Sequence, residues 1–325
     1  MMNNFLDPAI LFFVFGLLAG ALKSNLEIPA PISRFLSLYL LMALGLKGGF
    51  ALAQSGWTAE VLTSLGAALA LALLVPLLGY AVLRRFLNGF DAAAIAATYG
   101  SVSAVTFITA VQTLDHQGIA FGGHMAAAMA LMESPAIVLA VLLANHARRQ
   151  APPAVVPAAP ATPAPGLSRL LHEAMTDGAQ LLLLGAMLIG LLTGEAGQAA
   201  MKPFSVDLFK GMLAFFLLDM GLLAARQMGQ LRGLSPWLLV YALLGPLLHA
   251  SLAWGLGRAL GMSAGDTALL MVLAASASYI AVPAVVRHAI PEARPALYFG
   301  MSLGVTFPFN ILAGIPLYIW LAHGP

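Results

Sequence analysis

Hydroxyl side chains occur in two short stretches of this chain that are otherwise apolar enough to lie inside a membrane. The first stretch is YGSVSAVTF and the second is AASASY. A hydroxyl group both donates and accepts hydrogen bonds, so a set of hydroxyls suits a small oxyanion. The predicted substrate-binding residues are Gly100, Ser101, Ser103, Thr106, Ser276 and Ser278.

Both stretches also contain residues that weaken a helix. Gly100 precedes the first pair of serines, and Pro283 follows the second pair. A proline removes one backbone hydrogen bond and clashes with the preceding turn, while glycine tolerates the dihedral angles of a break. An opened helix exposes N–H groups and a positive dipole end, which favour anions, and carbonyl groups, which favour cations. We therefore predict two broken helices whose loose ends bind a small ion.

A structural role is the competing interpretation of these serines. Small residues in membrane helices often allow close packing, and a single serine commonly bonds back to its own helix. Either explanation accounts equally well for any one serine. The matched pairs in two separate helices favour the ion site.

Polar side chains inside other apolar runs form a second group of candidates. Glu133, Asp219 and Asn310 are predicted to bind or couple a cation, or to carry a proton. A charge facing lipid at the membrane centre costs about 2.5–3.5 kcal/mol, so both acids should face protein or water. A protonated carboxyl group that is hydrogen-bonded within the bundle is the alternative. Asn310 shares this ambiguity, and we interpret Lys47 and His249 as structural.

The composition is that of an integral membrane protein. Hydrophobic residues make up 61% of the chain and charged residues 9%, with a mean hydropathy of +0.92, whereas soluble proteins carry about 25% charged residues. Apolar runs of about 20 residues match the length of a spanning helix. Basic residues are scattered among loops, so no nucleic-acid partner is expected. The chain has no cysteine, which excludes disulfides and thiolate metal sites.

Polar and Pro/Gly-rich segments divide the chain into ten candidate spans. They lie near residues 8–22, 32–52, 60–83, 91–113, 121–146, 172–193, 205–227, 235–260, 266–288 and 295–321. Residues 148–168 are rich in alanine and proline and are predicted to form a cytoplasmic linker. This linker divides a first five-helix repeat, 1–147, from a second, 169–325.

The basic residues predict the orientation of the chain in the membrane. Eleven of the 15 lie on one side, which should be cytoplasmic, and the other four are Lys47, Lys202, Lys210 and Arg258. Both termini then lie outside a bacterial inner membrane. The first apolar run lacks a basic n-region and a convincing cleavage site, so we interpret it as a retained span.

The two halves repeat one another. Ser101 and Ser276 are 175 residues apart, as are Asp91 and Asp266. Glycines in spans two and seven agree within one residue of this offset. A repeat of five spans is odd-numbered, so its second copy must enter the membrane inverted. The predicted fold class is therefore an all-α polytopic membrane protein of ten transmembrane helices in two inverted repeats, with broken helices at spans four and nine.

These motifs resemble a known family, the sodium-dependent bicarbonate transporters first known from cyanobacteria. The resemblance covers nearly the whole chain and rests on the strings YGSVSAVTF, GLKGG, MESPA and PAVVRHAIPEARPALYFG. It implies ten spans in inverted halves, core and gate regions, a homotrimer, and import of bicarbonate with sodium at the crossing of the broken helices. It also implies inhibition by a cytoplasmic PII-like protein, although the short proline-rich linker gives that regulator no support.

The sequence departs from the family pattern in the second broken helix. Tyr279 stands where the family has an aspartate, Ala277 replaces a serine, and Ala281 and Val282 replace a Ser-Gly pair. Tyrosine cannot supply the charge of a carboxylate to a sodium ion. Asp219 could compensate, because the related position in the family is apolar.

The sequence therefore predicts a secondary transporter that imports a small anion, most readily bicarbonate, by elevator-like alternating access. Its coupling ion is sodium or a proton, and a bound sodium ion is the only cofactor expected. The alternative within transport is a carrier of another anion, such as an organic acid. A membrane-embedded enzyme is disfavoured, because HEAMT lacks the second histidine of a zinc-protease helix and no Gly-x-Ser-x-Gly elbow is present. A sensor or structural subunit would leave the broken helices unexplained.

Overall fold

The computed structural model describes residues 7–56, 58–150, 178–229 and 235–324, and every regular element within these ranges is helical. The elements are α1 (Pro8–Ala21), α2 (Ala30–Ser55), α3 (Ala59–Leu83), α4 (Gly89–Gly100), α5 (Ala104–Gln117), α6 (Met125–Gln150), α7 (Gly178–Lys202), α8 (Phe209–Met228), α9 (Pro236–Ala259), α10 (Ala264–Ala275), α11 (Ala281–Ala289) and α12 (Pro295–His323). Most of the predicted linker lies outside the described residues. Residues 148–150, which we had assigned to it, complete α6 because the helix continues past the membrane-length run.

Among the described residues, six helical stretches are long and apolar enough to cross a membrane. They are Ala30–Gln54, Ala59–Leu83, Gly89–Gln117, Gly178–Met228, Pro236–Ala259 and Pro295–His323. Two shorter apolar helices, α1 and α10, accompany them. The prediction of an all-helical, multi-pass membrane protein is confirmed at this level.

Glycines bring two pairs of helices into backbone contact. Gly16 of α1 lies against Gly221 of α8, and Gly49 of α2 lies against Gly190 of α7. A Cβ atom on Gly49 would come within 2.1 Å of a backbone carbonyl oxygen of α7, so no larger residue fits without displacement. Close contact between small residues is the usual basis of helix association in lipid, where tails compete equally for apolar surface. Each pair joins a helix from before the predicted linker to one from after it.

The interrupted helices lie in the interior of the bundle. In the stretch Gly89–Gln117, 94% of the most apolar window is buried, compared with 44% for α3 and 39% for α9. The side chains that α3 and α9 leave exposed are mainly large and apolar, such as Leu77 and Leu244. These two helices therefore face the lipid and shield α4 and α10 from it.

Ion pairs mark the opposite ends of the α4–α5 stretch. Asp91, in the first turn of α4, pairs with Arg294 at 2.8 Å. Asp115, near the end of α5, pairs with Lys47 at 3.1 Å. Both pairs connect this stretch to other parts of the chain; Asp91 is buried beneath an exposed Arg294, whereas Lys47 and Asp115 are both partly exposed.

We expect Gly190→Ala to destabilise the fold, because its Cβ atom would lie 2.7 Å from the Leu46 carbonyl oxygen. Overpacking of this kind costs about 1–3 kcal/mol. Gly185→Ala on the same helix is the matched control, since no atom lies within 4 Å of its added Cβ. Thermal unfolding in detergent should show a lower midpoint for the first variant alone, and equal midpoints would refute the proposed contact.

Candidate ion-binding site

The structure contains two breaks in the buried helices. Between α4 and α5 the chain leaves the helical conformation at residues 101–103, where Ser101 is extended with φ −94° and ψ −178°. Between α10 and α11 residues 276–280 are not helical, and Ser276 is extended with φ −76° and ψ 161°. The breaks therefore fall on the two serine pairs themselves.

The two residues that we expected to interrupt the helices both lie beside the breaks, but they act differently. Gly100 is the last residue of α4 and does not have a positive φ; a Cβ atom there would lie 2.6 Å from the ring of Pro76. Glycine is needed at this position for close packing against α3, not for an unusual dihedral angle. Pro283 is the third residue of α11, in a first turn whose N–H groups have no partner within the helix. The proline costs α11 no hydrogen bond at this position, and its ring would clash with a helical turn before it, which agrees with a break that ends just ahead of Pro283.

The two broken segments are hydrogen-bonded to each other. The Ser103 backbone N–H donates to the Ser276 hydroxyl at 2.9 Å. The Ser278 backbone N–H donates to the Thr98 carbonyl oxygen at 2.8 Å. Each segment therefore supplies one donor to the other, which satisfies backbone groups that the breaks leave open. Five of the six predicted substrate-binding residues are buried hydroxyls that lie in these segments or one turn away.

Several of these hydroxyls also have local partners. The Ser103 oxygen accepts hydrogen bonds from the backbone N–H of Thr106 at 3.2 Å and from its hydroxyl at 2.9 Å. The Ser276 hydroxyl donates to the Leu273 carbonyl at 2.9 Å, and the Ser278 oxygen accepts from the Val282 N–H at 3.2 Å. These serines therefore use part of their hydrogen-bonding capacity within their own helices, as the structural interpretation expects.

Ser101 differs from the other serines. Its side-chain oxygen is buried and has no hydrogen-bond partner among the described residues, with the residue only 1% exposed. A buried hydroxyl without a partner loses the hydrogen bonds that it made with water. This oxygen is therefore available to a ligand without breaking any contact of the protein.

The amino-terminal ends of two helices begin at the breaks. Ser103 is the N-cap of α5, and α11 begins at Ala281, directly after the second break. The N-terminus of a helix carries unpaired N–H groups and a partial positive charge. We call the place where residues 101–103 meet residues 276–280 the crossing. Two helix N-termini beside the serine hydroxyls make the crossing electrostatically suited to an anion.

Asn310 of α12 braces the second break. Its side-chain amide donates to the carbonyl oxygen of Ala275, the last residue of α10, at 2.9 Å. Its own oxygen accepts from the Tyr318 hydroxyl at 3.0 Å. The structure therefore places this candidate at the crossing, in contact with a carbonyl group that α10 leaves free.

The two predicted acids lie in different surroundings. Glu133 of α6 is half-buried and accepts a hydrogen bond from Gln180 of α7 at 2.9 Å. Asp219 of α8 is 4% exposed, and its Oδ2 atom has no partner among the described residues. Asp219 lies within electrostatic range of Tyr279, in the second break.

Sequence reasoning gave too little weight to two aspartates. Asp91 accepts a hydrogen bond from the backbone N–H of Arg294 at 2.8 Å, and Asp266 accepts one from the backbone N–H of Gly122 at 2.6 Å. Asp91 lies in the first turn of α4 and binds the segment just before α12. Asp266 lies in the first turn of α10 and binds the segment just before α6. Their constant offset of 175 residues was the signal in the sequence, but we had used it only as a marker of the repeat.

A cavity of about 270 Å³ lies between α2, α5 and the start of α6. Lys47 and Asp115 line it near the end of α5, and Phe107 lines it closer to the break. Phe107 follows Ser103 by one helical turn, and its backbone N–H donates to the Ser103 carbonyl at 3.0 Å. The cavity therefore extends from one end of the bundle to within about one turn of the crossing.

At the opposite end, Arg148 of α6 fastens the end of α11. Its guanidinium group binds both carboxylate oxygens of Glu292 at 2.8 Å and the carbonyl oxygen of Ala289 at 2.9 Å. Hydrogen bonds from Arg148 lower the pKa of Glu292 below its ordinary value of 4.5. Two-pronged contacts of this kind fix geometry as well as charge.

The helices describe a multi-pass membrane protein built around two interrupted helices, an arrangement that secondary transporters use to bind ions. Residues 8–323 match the family model of the Na⁺-dependent bicarbonate transporter superfamily, and the chain belongs to that family. The family consists of transporters, so the expectation that the chain is not an enzyme is confirmed on that ground. Bicarbonate and sodium fit the family as transported species. No curated protein matches the sequence.

We expect Glu292→Gln to lower the thermal stability of the protein at pH 7 by about 1 kcal/mol, because it weakens a partly exposed ion pair. Folding lowers the pKa of Glu292, so this carboxylate stabilises the folded state. The stabilisation is complete above pH 4.5 and is lost as the pH falls through the lowered pKa. The difference between the variant and the natural protein should therefore shrink below pH 4.5. Melting curves measured from pH 7 to pH 3.5 test this, with Glu195→Gln, an exposed acid of α7, as the control. A difference that is the same at every pH would contradict it.

Proposed function

We propose that this protein is a secondary active transporter that imports bicarbonate together with sodium by alternating access. The observation that carries the proposal is the crossing of two broken helices, held by the hydrogen bonds Ser103 N–H to Ser276 and Ser278 N–H to Thr98. These hydrogen bonds bring buried serines of both segments together beside the starts of α5 and α11, which supports an anion site there. Membership of the sodium-dependent bicarbonate transporter family supports bicarbonate as the substrate and sodium as the coupling ion.

A bicarbonate ion is a planar oxyanion with one O–H group and three oxygens. The N–H groups at the starts of α5 and α11 would stabilise its negative charge. The Ser101 hydroxyl has no protein partner, and the Ser103 oxygen only accepts in its recorded hydrogen bonds, so each retains an O–H for an anion. Hydroxyl groups also accept, which suits the single proton of bicarbonate.

The helix contacts support ten spans in two inverted five-helix repeats. If spans one to five exchange with spans six to ten, the α1–α8 contact becomes the α7–α2 contact, and both are glycine contacts. The same exchange converts the Asp91 bond to Arg294 into the Asp266 bond to Gly122. Two independent pairs of contacts thus obey one internal symmetry. The repeats 1–147 and 169–325 remain the proposed units.

The cavity beside Lys47 is the proposed outer access route. The Lys47–Asp115 ion pair lines it, and Phe107 separates it from the crossing. At the opposite end, ion pairs join Arg148 to Glu292 and Asp91 to Arg294, and we propose that they close the cytoplasmic route. Movement of the unit that carries α4–α5 and α10–α11 past α2 would close the outer route and open the cytoplasmic one. This proposal places both termini outside the bacterial inner membrane.

The assembly that we propose is a homotrimer, as the family resemblance implies. The large apolar side chains exposed along α1, such as Phe15 and Leu18, are compatible with burial against lipid or another copy. Apart from sodium we propose no cofactor. The short, proline-rich linker gives a PII-like regulator no support.

We expect Ser101→Ala, Ser103→Ala and Ser278→Ala to reduce bicarbonate transport at least about tenfold each, because a hydrogen bond to a charged group is worth about 1.5–3 kcal/mol. Uptake of labelled bicarbonate into proteoliposomes with an inward sodium gradient measures the effect. Ser101→Ala is the most informative variant. Its hydroxyl has no protein partner, so the thermal stability of the variant should not fall.

Ser251→Ala is the control for these variants. Ser251 is an exposed serine of α9 whose hydroxyl bonds only to the Leu247 carbonyl of its own helix, at 2.8 Å. It should transport normally. Normal transport by all three crossing variants would show that the substrate site lies elsewhere.

A carrier of another anion, such as an organic acid with proton coupling, is the second candidate. The observation that favours it is Tyr279, a neutral group in the second break where the family carries a carboxylate. Competition against labelled bicarbonate by formate, acetate, nitrate and succinate separates the two proposals. We expect none of them to compete at concentrations where unlabelled bicarbonate does, and uptake should follow the sodium gradient. Strong competition by a carboxylate with uptake driven by a pH gradient would favour the second candidate.

A further inference from the structure

Another cavity, of about 390 Å³, is a groove between α3 and α9 on the lipid-facing surface of the bundle. Its walls include large apolar side chains that these helices expose, such as Leu78, Val82 and Leu244. Gly79 and Gly245 also line it, and their missing side chains give the groove its depth. No residue of either broken segment lines it, so the groove is separate from the crossing.

The floor of the groove consists mainly of carbon atoms. Tyr241 and His249 belong to its lining, but the phenolic oxygen of the tyrosine and the Nδ1 atom of the histidine are enclosed by protein. The phenolic oxygen packs against α3, where it would lie 2.7 Å from a Cβ atom added to Gly79. The groove is therefore suited to an apolar chain.

Aromatic side chains mark one end of the groove. Phe86, just after α3, stacks on Trp237, near the start of α9, with ring centroids 6.1 Å apart. Both rings are exposed, and tryptophan is enriched where the hydrocarbon of a membrane meets water. The groove extends from this pair to Leu248, eleven residues further along α9, which is about 17 Å. This length is roughly half of the 30 Å hydrocarbon core, the depth of one leaflet.

Two arginines lie at the same end of the groove. Arg84 and Arg85 follow α3 directly and stand between Leu83 and Phe86, which both line the groove. Both arginines are exposed, and neither forms an ion pair or a side-chain hydrogen bond with another described residue. The Arg84 guanidinium lies over the ring of Tyr80, 5.7 Å from its centroid. Two positive charges without a balancing carboxylate therefore accompany the aromatic end of an apolar groove.

We propose that this groove binds one anionic phospholipid, whose acyl chain lies between α3 and α9 and whose phosphate contacts Arg84 and Arg85. Guanidinium groups match the geometry of phosphate oxygens. The basic residues of the sequence predict that this end of α3 is cytoplasmic, so the lipid belongs to the inner leaflet. Anionic lipids are concentrated there, and each basic residue near the surface strengthens their binding about fivefold.

A bound lipid would connect two helices that cover the crossing. α3 packs on α4, and α9 packs on α10. The acyl chain fills the space between α3 and α9, so it joins the first half of the chain to the second at the lipid-facing surface. This inference does not depend on which ion the protein transports.

Brominated lipids measure the affinity of this site, because bromine on an acyl chain quenches the fluorescence of a tryptophan that it touches. The chain has four tryptophans, so the probe is a variant that keeps Trp237 and has phenylalanine at the other three positions. It is reconstituted in mixtures of phosphatidylcholine and brominated phosphatidylglycerol. We expect phosphatidylglycerol to bind beside Trp237 about 20- to 30-fold more tightly than phosphatidylcholine. Equal affinity for the two lipids would overturn the proposal.

A variant that keeps only Trp254 is the control for position. Trp254 is an exposed residue near the other end of α9. It contacts lipid away from the arginines, so it should show no preference for phosphatidylglycerol. A preference of the same size at Trp254 and Trp237 would show a general attraction of the protein to anionic lipid, and the specific site would be rejected.

The arginines are tested together, in the variant that keeps Trp237. Arg84→Gln combined with Arg85→Gln should reduce the preference for phosphatidylglycerol to nearly one, because both phosphate contacts are lost. Lys202→Gln combined with Arg258→Gln is the matched control, since it removes the same charge from exposed residues that the charge pattern places on the other side of the membrane. The control should keep the full preference. Full preference in the arginine variant would contradict the proposed phosphate contacts.

Gly245→Leu tests the groove itself. Its Cβ atom would lie 3.5 Å from the Tyr241 ring, an ordinary contact, so the new side chain fills the groove without displacing α9. Native mass spectrometry of the natural protein with phosphatidylglycerol should show one retained lipid per chain that this variant lacks. Gly255→Leu on the same helix is the control, because no atom lies within 4 Å of its added Cβ, and it should retain the lipid. If the groove received a second copy of this chain, Gly245→Leu would change the oligomeric state and leave lipid retention unchanged, which would refute the lipid site.

Discussion

The need to satisfy backbone groups inside a membrane governs the centre of this protein. A helix that opens in a dry interior leaves N–H and C=O groups that water cannot reach, and each costs several kcal/mol if it stays unpaired. Here each broken segment supplies partners to the other, as in the Ser103 bond to Ser276 and the Ser278 bond to Thr98. Neither break would be tolerable alone. The crossing is thus a mutual arrangement, and the surrounding helices serve to bring the two segments together.

This mutual bonding explains why single serines have mixed roles. The Ser276 hydroxyl both accepts from the opposite segment and donates to its own helix, so it has little capacity left for a ligand. Ser101 has no protein partner. The same crossing therefore contains hydroxyls that hold the fold and a hydroxyl that remains free. A site that binds and releases an ion needs both kinds, because a fixed frame reduces the reorganisation that binding requires.

The sequence predicted the crossing better than its causes. Hydropathy and the 175-residue offset located both breaks, because apolar length and helix-disfavouring residues are local properties. The role of Gly100 was misread, since only the contact with Pro76 shows that glycine is needed there for close packing. The sequence also could not show which neighbouring helix each buried acidic side chain faces. Glu133 and Asp219 look alike as buried acids, yet one lies against α7 and the other near Tyr279, and only the rotation of each helix decides this.

The glycine contacts between α1 and α8 and between α2 and α7 bear on how the chain is made. As the ribosome delivers the polypeptide, α1 and α2 enter the lipid before either of their glycine-faced neighbours exists. The glycine-lined faces of α1 and α2 have no partner helix until more than a hundred further residues have been synthesised. Until then they are covered by lipid tails or by the insertion machinery. Truncated products would therefore leave these faces open to degradation or wrong pairing. Both glycine contacts therefore form late in the synthesis of this protein.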